Sequence, residues 1–287
     1  MQRPPVTNCL IDTLNEIISL AKSLEEIQLS AETDCPGWDV RDNLSHIISI
    51  ESWLLGNQMT DHKAVDITNT KNELGILNEN EVDLRRTHKL NELIDELESV
   101  AIPRIKTIQS YTEDELHSKA WTPIGEKTLE DQCMIRLLDC WAHLQDIKNA
   151  LNLNFDDESQ SSALILEYGL LTIPKAFARS VTTDTDTSVE LSIYSKIDLL
   201  FSQIPFEMSD NIFKLIITKT AGRGKFVDRN KPLSADDLIG THIKLSHKDI
   251  IGLLLGRKTY KELEQEIEIA GDREIAKNFL SNLNFMI

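Results

Sequence analysis

In the first 153 residues, apolar side chains recur at the three- and four-residue spacing that indicates helices with one buried face. The helical segments predicted from this spacing are residues 8–28, 39–56, 85–108 and 128–147. Asp39 and Thr128 precede two of them and are candidate N-caps. Four long helices in a row predict a four-helix bundle.

Two features interrupt this helical pattern. Residues 57–80 are rich in Asn, Asp and Thr, so we expect a long connection there. Pro103 lies inside the third segment, where the missing N–H and the ring should kink the helix or restart it.

The pattern changes after Leu153. A polar linker at 156–161 leads to a predicted helix at 163–179, and short runs of alternating polarity then predict strands. The predicted strands are residues 189–194, 213–217, 241–245 and 266–269. Ser246 is the expected cap of a helix through Leu255, and a final helix starts after Gly271-Asp272. We therefore predict a helical domain at 1–155 and a smaller α+β domain at 156–287.

Composition narrows the possible functions. The 287 residues carry a formal net charge of −17, which argues against a nucleic-acid surface and against anionic membranes. No apolar run approaches the roughly 18–20 residues of a membrane span, and no apolar signal core follows Met1. A cytoplasmic protein with reduced thiols is expected, because the cysteines lack C-x-x-C spacing and a secreted context. We expect a monomer or a weak homodimer.

Two predicted helices repeat the spacing D-x-x-x-H, once as Asp42 and His46 and once as Asp139 and His143. Residues four apart lie on one helix face, and here that face also carries apolar residues. One interpretation is a buried Asp–His hydrogen bond in each helix. The other is a metal site, because facing helices of a bundle are where such sites are built. The repeated pattern favours the metal.

Several motifs resemble the mycothiol-dependent maleylpyruvate isomerase family, which joins a DinB-like bundle to a domain related to sterol carrier protein type 2. The resemblance rests on Cys35-Pro36-Gly37-Trp38-Asp39-Val40-Arg41-Asp42 leading to His46, and on Thr122-Pro123-x-Gly125 followed by Arg136-x-x-Asp139-x-Trp141-x-His143-x-x-Asp146-Ile147. In the second half it rests on Leu245-Ser246, Leu254-x-Gly256-Arg257, Ile269-x-Gly271-Asp272 and Leu280-x-Asn282-Leu283.

The resemblance implies a divalent metal, usually zinc, held by His46, Asp139 and His143. The family's acidic ligand is typically Glu, so Asp139 is one methylene shorter than expected. The resemblance also implies mycothiol or another low-molecular-weight thiol as cosubstrate. Its thiolate would add to a small electrophile, giving isomerisation or thiol transfer. A non-catalytic metal-binding or stress-response protein on the same bundle is the alternative.

Other residues are assigned by their chemistry. Asp42 is expected to orient His46 or to lie just outside the metal ligands. Asp146 is expected either to support the same site or to be solvated or pack its helix. Arg223 is a candidate contact for an anion. The alternative is that its segment is simply a turn with no binding role. The remaining histidines stand in polar settings and are expected at the surface; they are His62, His88, His117, His242 and His247.

Overall fold

A computed structural model describes residues 5–181, 187–197, 204–227 and 239–285. The chain forms two compact units, one ending at Phe155 and the other running from Asp156. Helices dominate the first unit and a mixed sheet lies in the second, so the predicted combination of helices and sheet is confirmed. Within the described residues, no helix has both the length and the apolarity needed to cross a membrane.

The helices of the first unit are α1 (Val6–Ser23), α2 (Val40–Leu54), α3 (Glu73–Leu84), α4 (Leu90–Gln109), α5 (Glu113–Leu116) and α6 (Leu129–Ala150), with a short 3-10 helix at Glu26–Ser30. Helices α1 and α2 each pack against both α4 and α6, and α2 also contacts α3. Asp39 and Thr128 cap α2 and α6 as predicted, each in a capping box with the residue three positions on.

Three details of this unit differ from the expectation. The supposed connection at 57–80 contains the start of α3, and the following helix begins at Leu90 instead of residue 85. Pro103 lies inside α4, which continues across it as one helix, so the predicted restart does not occur and the kink stays a prediction. The turn around Thr122 closes a small hairpin of β1 (Lys119–Thr122) and β2 (Gly125–Thr128).

The second unit contains β3 (Thr187–Tyr194), β4 (Glu207–Ser209), β5 (Ile212–Thr220), β6 (Arg223–Phe226), β7 (Ile239–Ser246) and β8 (Glu268–Gly271). Strand order is β4-β5-β3-β7-β8, with β6 paired to β5. Among the strands that the structure describes here, β3 and β7 run parallel and the other pairs are antiparallel. The predicted helix at 163–179 is two helices, α7 (Gln160–Leu170) and α8 (Ile173–Ser180). The gap lies at 171–172, and Pro174 falls in the first turn of α8. A proline has no N–H to continue the hydrogen bonds of the preceding helix, but it is tolerated in the first turn of a new one. Helices α9 (His247–Leu254) and α10 (Arg273–Leu280) follow their predicted caps.

His247 corrects one expectation, since it is buried and not at the surface. Its Nδ1 lies 2.9 Å from Ser195 Oγ and its Nε2 lies 3.3 Å from Ser162 Oγ. The hydroxyl of Ser162 donates to the carbonyl of Asp156, so Ser162 accepts from Nε2–H and Ser195 donates to Nδ1. The imidazole is therefore held neutral by two serines. Burial lowers its pKa to about 4, although the charges of Asp157 and Asp156 oppose the shift.

This arrangement predicts acid sensitivity of the second unit. The pKa of His247 is about 4 in the folded protein and 6.5, its ordinary value, in the unfolded chain. As the pH falls, the unfolded chain therefore binds the proton before the folded protein does. The stabilising contribution is complete above pH 6.5 and is lost as the pH falls towards 4, by about 3 kcal/mol. Unfolding free energies measured from pH 7 to pH 4 should fall less steeply for His247→Asn than for the wild type. Equal slopes for wild type and His247→Asn would contradict the prediction.

Candidate metal centre

Two packed helices bring the predicted trio together. His46 comes from α2, and Asp139 and His143 lie one turn apart on α6. One ligand atom from each of the three residues lies within 4.8 Å of the other two. The Nε2 atom of His46 is 3.1 Å from Asp139 Oδ2, and the Nε2 atom of His143 is 3.6 Å from Asp139 Oδ1. Both imidazoles therefore turn the same ring nitrogen towards one carboxylate.

Trp38 packs beside both imidazoles. Its ring centroid is 5.1 Å from that of His46 and 5.6 Å from that of His143, while the two imidazoles are 4.8 Å apart. The indole N–H donates to a carboxylate oxygen of Glu79 at 2.9 Å, which fixes the position of the ring. Because Trp38 covers both histidines, it limits the access of water to that side of the site.

A buried amide fixes the orientation of His143. Asn43 Oδ1 lies 2.6 Å from Nδ1 of His143 and can only accept, so Nδ1 carries a proton. Asp146 Oδ2 lies 3.3 Å from the same nitrogen. The lone pair of a neutral His143 is consequently on Nε2, pointing towards Asp139. This tautomer is the one that a metal ligand needs.

Asp139 is held from its other side by a buried charge network. Arg136, one turn earlier on α6, donates to Asp139 Oδ2 and also to Glu51 Oε1. Glu51 in turn accepts from Arg104 at 2.9 Å, and its side chain is 0% exposed. This network of ion pairs runs from Arg104 through Glu51 and Arg136 to Asp139. It links α4, α2 and α6 and orients the carboxylate of Asp139 towards the site.

The pKa values of Asp139, His143 and His46 are shifted from their ordinary values. Burial would raise the pKa of Asp139, but its interactions with His46 and with the Arg136 guanidinium hold it well below its ordinary value. Burial would lower the pKa of His143, but hydrogen bonds to Asp139 and Asp146 raise it well above its ordinary value. Burial lowers the pKa of His46. The ionised carboxylate of Asp139 therefore faces two different imidazoles. His143 favours its charged form, and His46 favours its neutral form.

These residues fit a divalent cation. Two imidazoles and one carboxylate form a donor set found in catalytic zinc sites. A neutral His143 turns its Nε2 lone pair towards an ionised carboxylate, so a proton or a metal ion must lie between these two acceptors. The Nδ1 atom of His46 is buried and has no hydrogen-bond partner among the described residues, so His46 is anchored through Nε2. The bond from Arg136 leaves further lone pairs on Asp139 for a metal.

The other predicted site residues have different positions. Asp42 belongs to the capping box of α2 and pairs with Arg86, so the expected contact with His46 is absent from the described hydrogen bonds. A residue in the first turn directs its side chain back to the helix start, which accounts for this difference. Asp146 lies beside His143, with its Oδ2 3.3 Å from Nδ1 of that residue. Arg223 is exposed at the start of β6, next to the turn at 221–222.

Sequence reasoning missed Asn43, Glu51 and the bridging role of Arg136. Asn43 lies three positions before His46 and looked like an ordinary polar residue of α2. Glu51 and Arg136 are 85 positions apart, so no local spacing relates them. The only sequence signal was an acidic residue at 51 on the largely apolar face of a predicted helix.

Removing the amide of Asn43 should weaken metal binding. Asn43→Ala takes away the acceptor that holds His143 Nδ1–H, so the metal affinity should fall by about 10–100-fold. Competition with a chromophoric chelator measures the change. Asn80→Ala is the matched control, because Asn80 is equally buried and bonds the backbone of Ala64 away from the trio. Equal affinity for Asn43→Ala and the wild type would contradict the assigned role.

Comparison with known proteins relates the chain to one family. Residues 12–148 match the family described as the mycothiol maleylpyruvate isomerase N-terminal domain. No curated protein matches the chain. Crystal structures of the mycothiol-dependent maleylpyruvate isomerase and of a histidine-to-alanine mutant of it match at 12% identity, with TM-scores of 0.51 and 0.50 and 95% of each chain covered. This likeness shows a shared fold. The resemblance to the mycothiol-dependent maleylpyruvate isomerase family found in the sequence is thereby confirmed, and the family match covers residues 12–148.

Proposed function

We propose that the protein is a metal-dependent isomerase that uses mycothiol, or a similar low-molecular-weight thiol, as cosubstrate. The substrate would be a small electrophile of the maleylpyruvate type, with a cis double bond conjugated to a carbonyl group. The observation that carries the proposal is the convergence of His46, Asp139 and His143 inside the segment that matches the family. We also propose the finer architecture, a DinB-like four-helix bundle followed by a sterol-carrier-like domain.

The metal we propose is zinc, held by His46, Asp139 and His143. When bound, a divalent metal of this kind lowers the pKa of a coordinating thiol, so that the thiolate exists at neutral pH. The side chain of Asp139 is 21% exposed, against 5% for His46 and 6% for His143. Small molecules would therefore reach the trio from the Asp139 side.

The surrounding residues prepare this site in advance. Asn43 keeps the proton of His143 on Nδ1, and Arg136 keeps Asp139 ionised and oriented. Trp38 covers the imidazoles and excludes water from their other side. Each of these contacts exists without substrate, so little reorganisation is needed when the thiol arrives.

In the proposed reaction the thiolate sulfur adds to one carbon of the cis double bond, and the electron pair of that bond moves to the conjugated carbonyl. Rotation about the new single bond follows. Elimination restores the double bond in the trans form and releases the thiolate, so the thiol is not consumed. If the adduct were released by protonation instead, the same site would act as a thiol transferase.

The proposal is tested with purified protein, maleylpyruvate and mycothiol, following the trans product by ultraviolet absorbance and NMR. Turnover should require the thiol, disappear after treatment with a chelator and return with added Zn²⁺. Zinc binding without any turnover would favour the non-catalytic alternative. Accumulation of one thiol adduct per substrate consumed would show a transferase and overturn the isomerase assignment.

A further inference from the structure

A second group of possible metal ligands lies beside the trio and shares one residue with it. Cys35, His143 and Asp146 are all buried, and one ligand atom from each lies within 4.8 Å of the other two. Asp146 Oδ2 is 3.3 Å from Nδ1 of His143, which is the ring nitrogen that does not face Asp139. The two groups therefore lie on opposite edges of the same imidazole.

The backbone holds these donors in place. His143 and Asp146 are three residues apart on α6, so they lie on one face. Cys35 comes from the loop before α2, where its N–H donates to Thr33 Oγ1 at 3.2 Å and its carbonyl accepts from the N–H of Trp38 at 3.1 Å. These loop bonds hold the backbone of Cys35, and its thiol forms a hydrogen bond with His143. The group is thus built from one helix turn and one tied loop.

The donor set selects a class of ion. A thiolate, an imidazole and a carboxylate suit Zn²⁺ and similar thiophilic divalent ions, whereas Mg²⁺ and Ca²⁺ prefer oxygen ligands. We propose that Cys35, His143 and Asp146 form a second metal position, distinct from that of His46 and Asp139. This inference concerns where the ion can bind and does not depend on the reaction proposed above.

The two positions should exclude one another. A neutral imidazole has one lone pair, so His143 can offer Nε2 to the trio or Nδ1 to the second position, but not both. Binding at the second position moves the imidazole proton from Nδ1 to Nε2, where Asp139 Oδ1 lies 3.6 Å away. It also releases the thiol proton of Cys35 and breaks the 2.6 Å hydrogen bond to Asn43. Because of this lost bond, we expect the trio to be filled first and the second position to take the ion when the trio is damaged.

Cobalt distinguishes the positions, because a thiolate bound to Co²⁺ gives a near-ultraviolet sulfur-to-metal charge-transfer band and nitrogen and oxygen ligands do not. One equivalent of Co²⁺ on the wild-type protein should bind without this band. The variant His46→Ala should still bind one Co²⁺, and now with the band. Adding Cys35→Ser to His46→Ala should remove the band, and adding Asp146→Asn should weaken binding.

A cysteine close to Asp139 provides the control. Cys140 follows Asp139 in sequence and its sulfur accepts from Arg136 at 3.1 Å, so His46→Ala/Cys140→Ser must keep the band if Cys35 is the ligand. Circular dichroism checks the fold of each variant, and Cys35→Ala replaces Cys35→Ser if the latter does not fold. Absence of the band in folded His46→Ala, or its survival without Cys35, would overturn the second position. If instead the proposed isomerase activity is wrong, the wild-type protein will show no turnover with mycothiol, while the Co²⁺ spectra of the variants will still be those expected here.

Discussion

Replacing His143 with alanine should abolish metal binding and thiol-dependent turnover together. His143 belongs to the trio and also to the second ligand group, so among the described residues the ion has no other position that keeps three protein donors. Loss of a supporting residue alone costs about 10–100-fold in affinity, so loss of this ligand should cost more than about 100-fold. Metal content by plasma mass spectrometry and turnover with mycothiol measure the two effects on one preparation.

The matched control is His62→Ala. His62 is also an acid-paired histidine of the first unit, 2.6 Å from Asp83, but its side chain is 35% exposed and it lies outside both ligand groups. This variant should keep its metal and its activity. If folded His143→Ala loses its metal and still turns over substrate at the wild-type rate with the thiol, the metal is structural and the proposed mechanism is wrong.

Replacing Glu51 with alanine should produce the largest loss of stability in the first unit. Glu51 is fully buried between Arg104 and Arg136, which are themselves buried. Its removal leaves two guanidinium groups without their shared carboxylate, at a cost of about 3–5 kcal/mol in the free energy of unfolding. Chemical denaturation followed by circular dichroism measures the change.

A surface ion pair provides the comparison for Glu51. Glu98 pairs with Lys22, whose side chain is half exposed, so Glu98→Ala should change the free energy of unfolding by only about 0–1 kcal/mol. Glu51→Ala should also weaken metal binding, because Arg136 loses the partner that aims it at Asp139. Equal stability of the two variants would show that the buried network contributes little.

Helices with one apolar face and a clear cap could be predicted from the sequence. Helices α2 and α6 begin at Asp39 and Thr128 because both residues have a side-chain acceptor and a partner three positions on. Helix α3 could not be predicted, because its buried residues include Glu79, Asn80 and Glu81. Their burial depends on partners elsewhere, such as Trp38 and the backbone of Ala64. Such a helix has no hydrophobic period to detect.

The D-x-x-x-H spacing predicted which face of α6 would hold Asp139 and His143, since residues four apart lie one turn from each other. The same spacing misassigned Asp42, whose carboxylate bonds the N–H of Asp39 and pairs with Arg86. Burial and the Asp39 charge raise the pKa of Asp42 to about 6, although Arg86 opposes the shift. Local spacing predicts the face of a helix on which a residue lies, but not its tertiary partners. The hydrogen bond between Asn43 and His143 therefore could not be predicted from the sequence.

The most direct test of the account is X-ray absorption spectroscopy of the zinc-loaded wild-type protein. The protein should hold one zinc per chain with nitrogen and oxygen neighbours at about 2.0–2.2 Å, two of them imidazoles, and no sulfur in the absence of thiol. Addition of mycothiol should introduce one sulfur at about 2.3 Å. Absence of bound zinc, or a sulfur neighbour before any thiol is added, would contradict the claim that His46, Asp139 and His143 hold the metal.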